Sequence, residues 1–128
     1  NDTTSADINS YFDLEKKVRG VDEAVISDFR KQLVDMYKNK TVEERNLSSI
    51  YQTYIALGNL MTVCALEKID ACPLEGFVPS KVDVLLNLKE LNLSSVLLLP
   101  IGYRAKNDIM STMKKVRKPL SETVIEIS

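Results

Sequence analysis

Two short segments of this chain carry residues that could take part in ligand chemistry. The first is Cys72-Pro73-Leu74-Glu75-Gly76-Phe77, in which Pro and Gly flank an acidic residue just after a long apolar stretch. The simplest interpretation of this segment is a turn in which Gly76 occupies a position that needs positive φ. The segment is therefore kept as a candidate whose role depends on what surrounds it.

The second candidate segment is basic, Lys114-Lys115-Val116-Arg117-Lys118. It could be a solvated loop. It could also bind an anion, because Arg holds phosphate through two parallel hydrogen bonds and Lys adds a point charge. A further acidic pair, Glu43-Glu44, is better explained by helix capping than by acid-base chemistry, since catalytic carboxylates need burial and nothing here implies it.

Composition excludes several classes of site. The 128 residues include no His and only 2 Cys, which removes His-based triads, His general bases and nearly all catalytic zinc sites. Cys64 and Cys72 are expected to be free thiols, and no catalytic residue or metal ligand is predicted. A net charge of -1 argues against nucleic acid or anionic membrane as a partner. The polar, acidic start lacks a signal-peptide pattern, so we expect a cytoplasmic protein.

Three helices are predicted in the first half of the chain. Apolar residues at helical spacing indicate a short helix from Ile8 to a stop at Gly20, and a second from Val25 to about Asn39. Thr41 begins a third helix with a capping-box pattern, and that helix is expected to reach about Ile69.

The third predicted helix has no charged residue from Leu47 to Leu66, and beyond Tyr54 its apolar side chains point in every direction. Such a helix is buried on all sides. Its many Ser, Thr, Asn and Gln residues argue against a membrane span. We therefore expect burial partly by its own domain and partly by a partner, and close approach of another backbone would explain Gly58 in its middle.

The second half of the chain mixes elements. Residues 70–78 are predicted as a loop, and Pro79-Ser80 opens a short helix with Ser80 as its cap. The unbroken apolar run from Ser95 to Gly102 predicts a strand buried on both faces. Residues 121–128 alternate, which predicts an exposed or edge strand. Two strands do not make a stable sheet, so the chain is expected to need strands from elsewhere.

These residues carry a resemblance to a known family. Four blocks, in this order and spacing, resemble the C-terminal half of the FMN-dependent nitroreductases, in their oxygen-insensitive NAD(P)H branch. The blocks are Gln52–Met61, Ile69–Phe77, Val96–Tyr103 and Lys115–Pro119. The similarity is good from about residue 41 to residue 119, and the Pro-x-Glu-Gly-Phe block is its most specific part.

The resemblance implies an α+β homodimer that holds FMN at its interface, with the central helix packed on its symmetry mate and the C-terminal tail added to the partner's sheet. It places Pro73, Leu74, Glu75 and Gly76 along the flavin ring, with the Glu75–Gly76 backbone donors on the N5 side. It assigns Lys115 and Arg117 to the FMN phosphate.

The activity that the resemblance implies is a ping-pong transfer of two electrons from NAD(P)H to a nitroaromatic, a quinone or a related acceptor. The cofactor carries this chemistry, so the absence of His is no obstacle.

One departure from the family concerns the start of the chain. The family's N-terminal Arg-x-Ser-type block, which binds phosphate and ribityl groups, has no counterpart here. Residues 1–128 are therefore expected to be the C-terminal portion of a single nitroreductase-like domain. The alternative is a flavin-free helical module that dimerises without catalysis.

Overall fold

The first two helices form an antiparallel hairpin in a computed structural model that describes residues 3–127. Helix α1 spans Ser5–Arg19 and helix α2 spans Glu23–Lys38. Thr4 caps α1 in a capping box with Asp7, and Gly20 ends it at φ 65°, a left-handed conformation that suits glycine. Both predicted helices and the stop at Gly20 are confirmed.

The hairpin contains the main hydrophobic core of the described residues. Ile8 and Phe12 of α1 pack against Ile26 of α2, and Phe12 is 1% exposed. The Arg30 guanidinium lies 5.5 Å from the centre of the Phe12 ring and also pairs with Asp13 at 2.9 Å. The apolar stripes that the sequence predicts on these helices therefore bury each other only in part, since Val25 and Phe29 are 73% and 61% exposed.

Helix α3 spans Val42–Leu66 and begins at the predicted cap. The Thr41 N–H donates to Glu44 Oε2 at 2.7 Å, and the Glu44 N–H donates to Thr41 Oγ1 at 3.2 Å. The helix ends slightly before the predicted Ile69, and Lys68 follows it at φ 58°. Within this chain Cys64 is the buried residue of α3, so burial of the helix on all sides is not achieved by residues 3–127.

A two-stranded antiparallel sheet follows α3. Strand β1, Asp70–Ala71, pairs with strand β2, Ile101–Gly102, so that Asp70 lies opposite Gly102. The pairing continues past the strands, because the Cys72 N–H donates to the Pro100 carbonyl at 3.1 Å. The prediction of a plain loop over 70–78 is thus wrong at its start. The predicted strand at 95–102 is present only in part, and it is not buried on both faces, since Ile101 is 55% exposed.

Helix α4 spans Pro79–Leu85, as the Pro79 signal predicts, but its cap is Val78 and not Ser80. Pro79 occupies the first helical position, where no N–H is needed, so the helix begins one residue earlier than the serine suggests. Asp83 instead binds Ser95, the first residue of the apolar segment 95–102. Its Oδ1 accepts the Ser95 N–H at 2.8 Å and the Ser95 hydroxyl at 2.6 Å.

The C-terminal strand prediction is wrong for the residues that the structure describes. A helical turn, α5, spans Leu120–Thr123. Val124 after it is extended, and residues 124–127 form no β pairing. The Glu122 N–H donates to the Pro119 carbonyl at 3.0 Å, so local hydrogen bonds satisfy this backbone. An edge strand needs a second strand beside it, and residues 3–127 supply none here. Ser128, the last residue of the predicted strand, lies outside the described residues.

Candidate functional site

The Pro73–Gly76 loop is anchored at one end to the segment before β2. The Leu74 N–H donates to the Leu98 carbonyl at 2.8 Å, and the Leu98 N–H donates to the Leu74 carbonyl at 3.0 Å. At the other end the Phe77 N–H donates to the Glu75 carbonyl at 2.9 Å. The loop is therefore a short, hydrogen-bonded bend placed directly beyond β1.

Two adjacent backbone donors of this loop have no protein acceptor. Across residues 3–127, no acceptor takes the N–H of Glu75 or of Gly76. Both residues are exposed, and a Cβ built on Gly76 would meet no atom within 4 Å. The backbone at Gly76 is therefore accessible from outside the chain.

The predicted reason for a glycine at position 76 is wrong. Gly76 does not have positive φ, and among the described glycines only Gly20 does. The turn at Gly76 therefore imposes no left-handed conformation. What the structure shows at this position is the open space itself.

A side chain of α3 holds the acidic residue of the loop. The Tyr54 hydroxyl donates a hydrogen bond to Glu75 Oε1, and this bond raises the pKa of Tyr54 because the nearby carboxylate disfavours the phenolate. A cavity of about 350 Å³ lies beside this contact, lined by Tyr54, Leu57, Pro73, Leu74, Glu75 and Leu97.

Part of the basic segment, residues 114–118, lies near strand β1. Hydrogen bonds from Arg104 Nε and Nη2 to the two Asp70 oxygens, both 2.7 Å, are the main cause of the lowered pKa of Asp70. Lys115 lowers that pKa further by its positive charge, so Lys115 lies near β1. Arg117 is exposed and donates to its neighbour's carbonyl, Val116 O, at 2.8 Å. The structure thus brings Lys115 toward the strand that precedes the loop, and it shows no contact between Arg117 and the loop.

No sequence pattern singled out two residues of this region, Tyr54 and Arg104. Tyr54 appeared only as one apolar position of a helix, although a tyrosine placed there also carries a hydroxyl group. Arg104 follows the apolar run without any pattern that would single it out. Its pairing with Asp70 joins positions 34 residues apart, which spacing alone does not reveal.

The two cysteines are free thiols, as the sequence predicts. Cys64 is buried and Cys72 is exposed. No group of His, Cys, Asp and Glu side chains within residues 3–127 could hold a metal ion. None of the helices in that part of the chain is long and apolar enough to cross a membrane.

Comparison with known proteins identifies the family. The family model described as "Nitroreductase family" matches residues 12–103. The chain belongs to the nitroreductase family. The match includes the Pro73–Gly76 loop, Tyr54 and β2, and it begins well before the region where the resemblance is strongest. It ends before the basic segment, so Lys115 and Arg117 lie beyond it.

Two curated nitroreductases are similar to this chain. An oxygen-insensitive NAD(P)H nitroreductase of Salmonella typhimurium is 33% identical over 76 residues, which are 59% of this chain and 35% of that protein. An enzyme of the same name from Enterobacter cloacae is 35% identical over 75 residues, with 59% of this chain and 35% of that protein covered. The chain thus spans about a third of the length of these relatives.

Proposed function

We propose that this chain forms part of an FMN-dependent oxidoreductase that moves two electrons from NAD(P)H to a nitroaromatic, a quinone or a related acceptor. Membership of the nitroreductase family and the names of the two relatives support an oxidoreductase. The observation that carries the proposal is the pair of unpartnered N–H groups at Glu75 and Gly76, next to open space on an anchored loop.

The residues of the loop fit a flavin ring. Pro73 and Leu74 offer apolar surface, while the Glu75 and Gly76 N–H groups offer hydrogen bonds to a ring nitrogen. Because Gly76 has no side chain, a planar ligand can lie against the backbone there. These residues bind and orient the ring, and bound FMN would supply the chemistry of accepting and donating hydride.

The phosphate of FMN would be held by Lys115 and Arg117. Both side chains are exposed, and neither makes an ion pair within the described residues. A guanidinium that donates only to a neighbouring carbonyl remains available for a bidentate phosphate contact. Lys115, Arg117 and the phosphate would be shielded from water by residues of the protein outside this chain.

A second copy of the chain is part of the proposal. Ile55 and Leu66 lie on one face of α3 and are 58% and 76% exposed. Gly58 lies between them, and a Cβ built there would meet no atom within 4 Å. A homodimer that packs α3 against its mate would bury this apolar surface at about 25 cal/mol per Å².

The proposal is tested by titrating FMN into the whole product of the reading frame that encodes this chain. We expect binding, seen as quenching of flavin fluorescence, together with NAD(P)H oxidation that depends on a nitroaromatic or a quinone. Arg117→Ala should weaken FMN binding about tenfold or more, because a charged hydrogen-bond donor is lost. The matched control is Lys118→Ala, which removes the same charge one residue further along and should leave FMN affinity nearly unchanged.

Two outcomes would contradict parts of this proposal. If Arg117→Ala binds FMN as the unaltered protein does, the phosphate role of Arg117 is wrong. If the unaltered protein binds no FMN and remains a colourless dimer, the flavin assignment is wrong and the helical dimerisation module is supported.

A further inference from the structure

We propose that Tyr54 is a positioning residue for the flavin site: its hydroxyl holds Glu75 against α3 and so fixes the two free backbone donors of the loop. This inference rests on the proposed function, because its purpose is to orient the donors that would face FMN.

The loop is held from two sides. On one side, the paired hydrogen bonds between Leu74 and Leu98 fix the backbone immediately before Glu75, at 2.8 and 3.0 Å. On the other side, Tyr54 of α3 donates to the Glu75 carboxylate across 21 residues of sequence. Residues 75 and 76, which carry the free N–H groups, therefore lie directly at the second anchor.

The Tyr54 contact has no substitute in the described structure. Within residues 3–127, it is the one side-chain hydrogen bond that joins α3 to residues 72–77. A cavity of about 350 Å³ lies beside this contact, lined in part by Tyr54 and Glu75. Without the hydroxyl, the Glu75 side chain would be free to turn, and residues 75 and 76 would lose their side-chain anchor to α3.

The direction of the hydrogen bond follows from the chemistry of its partners. The Tyr54 phenol donates and the Glu75 carboxylate accepts. The pKa of Tyr54 is raised by the bond to Glu75, so the donor remains protonated well into the alkaline range.

The test compares Tyr54→Phe with Tyr51→Phe in the whole product of the reading frame. Both changes keep the ring and remove one hydroxyl from α3. Tyr51 is 57% exposed and donates no hydrogen bond in the described structure. We expect Tyr54→Phe to weaken FMN binding about 3- to 10-fold, as loss of one orienting hydrogen bond implies, with Tyr51→Phe unchanged.

A second readout needs no cofactor. In the FMN-free protein, amide hydrogen exchange at Leu74 and Leu98 should quicken in Tyr54→Phe, because the paired residues lose their neighbouring anchor. The melting temperature should stay close to that of the unaltered protein, which separates positioning of the loop from loss of the fold.

Conservative replacement of the acceptor sharpens the result. Glu75→Gln keeps a side-chain oxygen that can accept from Tyr54, whereas Glu75→Leu does not. We expect Glu75→Gln to retain FMN affinity better than Glu75→Leu, and Tyr54→Phe to have little further effect in the Glu75→Leu background.

The outcomes separate this inference from the proposed function. If the unaltered protein binds FMN and Tyr54→Phe matches Tyr51→Phe in both affinity and exchange, the positioning role is wrong while the flavin assignment stands. If the unaltered protein binds no FMN, the proposed function fails, and the inference fails with it even where the exchange data show Tyr54 anchoring the loop.

Discussion

The hairpin of α1 and α2 closes a small core around three buried apolar side chains, whereas the described part of the chain from α3 onward buries only Cys64. Ile8, Phe12 and Ile26 are 5%, 1% and 8% exposed. By contrast, Leu85 of α4 is 79% exposed and Ile101 of β2 is 55% exposed. The hairpin forms a small core from its own residues, whereas the part from α3 onward exposes apolar side chains to solvent.

The difference follows from how the apolar residues are arranged on each helix. Each hairpin helix has one apolar stripe, and the two stripes bury each other where they meet, at Ile8, Phe12 and Ile26. Helix α3 has apolar residues in several directions, so a single neighbour covers only part of it. The candidate flavin site lies in this second region, where uncovered apolar surface and free backbone donors occur together. We infer that binding and assembly, more than internal packing, complete that part of the protein.

The largest expected effect tests the hydrophobic core of the α1–α2 hairpin. Phe12→Ala should destabilise the hairpin by about 3–5 kcal/mol, because it removes a fully buried aromatic side chain and leaves a cavity. Thermal unfolding of this chain, followed by circular dichroism, measures the effect. Val18→Ala, at a position of α1 that is 74% exposed, is the control and should change stability by no more than about 0.5 kcal/mol. Equal effects of the two changes would mean that the hairpin core does not stabilise this region.

The second largest expected effect is on dimerisation and tests the exposed apolar face of α3. Ile55→Asp should leave the melting of the isolated chain nearly unchanged, because the residue is already 58% exposed. In the whole product of the reading frame it should weaken dimerisation by about 100-fold or more, since a charge would enter an apolar interface.

Sedimentation equilibrium over a range of concentrations measures that dimerisation. The matched control is Val18→Asp, which introduces the same charge on the exposed surface of the hairpin and should leave the dimer intact. A dimer that tolerates Ile55→Asp would show that this face of α3 is not at the interface.

The smallest expected effect concerns the ion pair of Asp70 and Arg104. Hydrogen bonds from Arg104 lower the pKa of Asp70 in the folded protein. The stability that this pair contributes is therefore present above the unfolded Asp pKa of about 3.9, and it is lost as the pH falls from there through the folded pKa. Arg104→Gln should raise the pKa of Asp70 toward its ordinary value and reduce the acid-dependent loss of stability.

Carboxyl NMR of Asp70 over an acid titration measures that pKa. Lys106→Gln, which removes an exposed charge two residues after Arg104 in the sequence, is the control and should leave the pKa of Asp70 close to that of the unaltered protein. An Asp70 pKa that does not move in Arg104→Gln would mean that the bidentate contact is absent in solution.

The local elements were predictable because their signals are contained within a few residues. The capping box at Thr41, the glycine stop at Gly20 and the proline at the start of α4 each act on the backbone beside them. The family resemblance was predictable for a similar reason, since blocks such as Pro73–Phe77 keep their order along the chain.

The strands and the cap of α4 were less predictable because they depend on distant partners. Alternation at 121–127 suits a strand, but a strand forms only where another strand offers unpaired hydrogen-bonding groups. Ser80 was expected to cap α4, yet Asp83, three residues later, accepts two hydrogen bonds from Ser95, 12 residues away. The assignment of Pro73, Leu74, Glu75, Gly76, Lys115 and Arg117 to FMN stays a prediction.

The sequence by itself determined the three helices of the first half of the chain, with the stop at Gly20 and the capping box at Thr41, and which family the chain resembles. Those properties follow from neighbours within one or two helical turns. Only the tertiary structure decided that Leu74 pairs with Leu98, that Tyr54 holds Glu75, and that the N–H groups of Glu75 and Gly76 remain free. Such contacts join residues far apart in the chain, and their formation depends on how the segments between them fold.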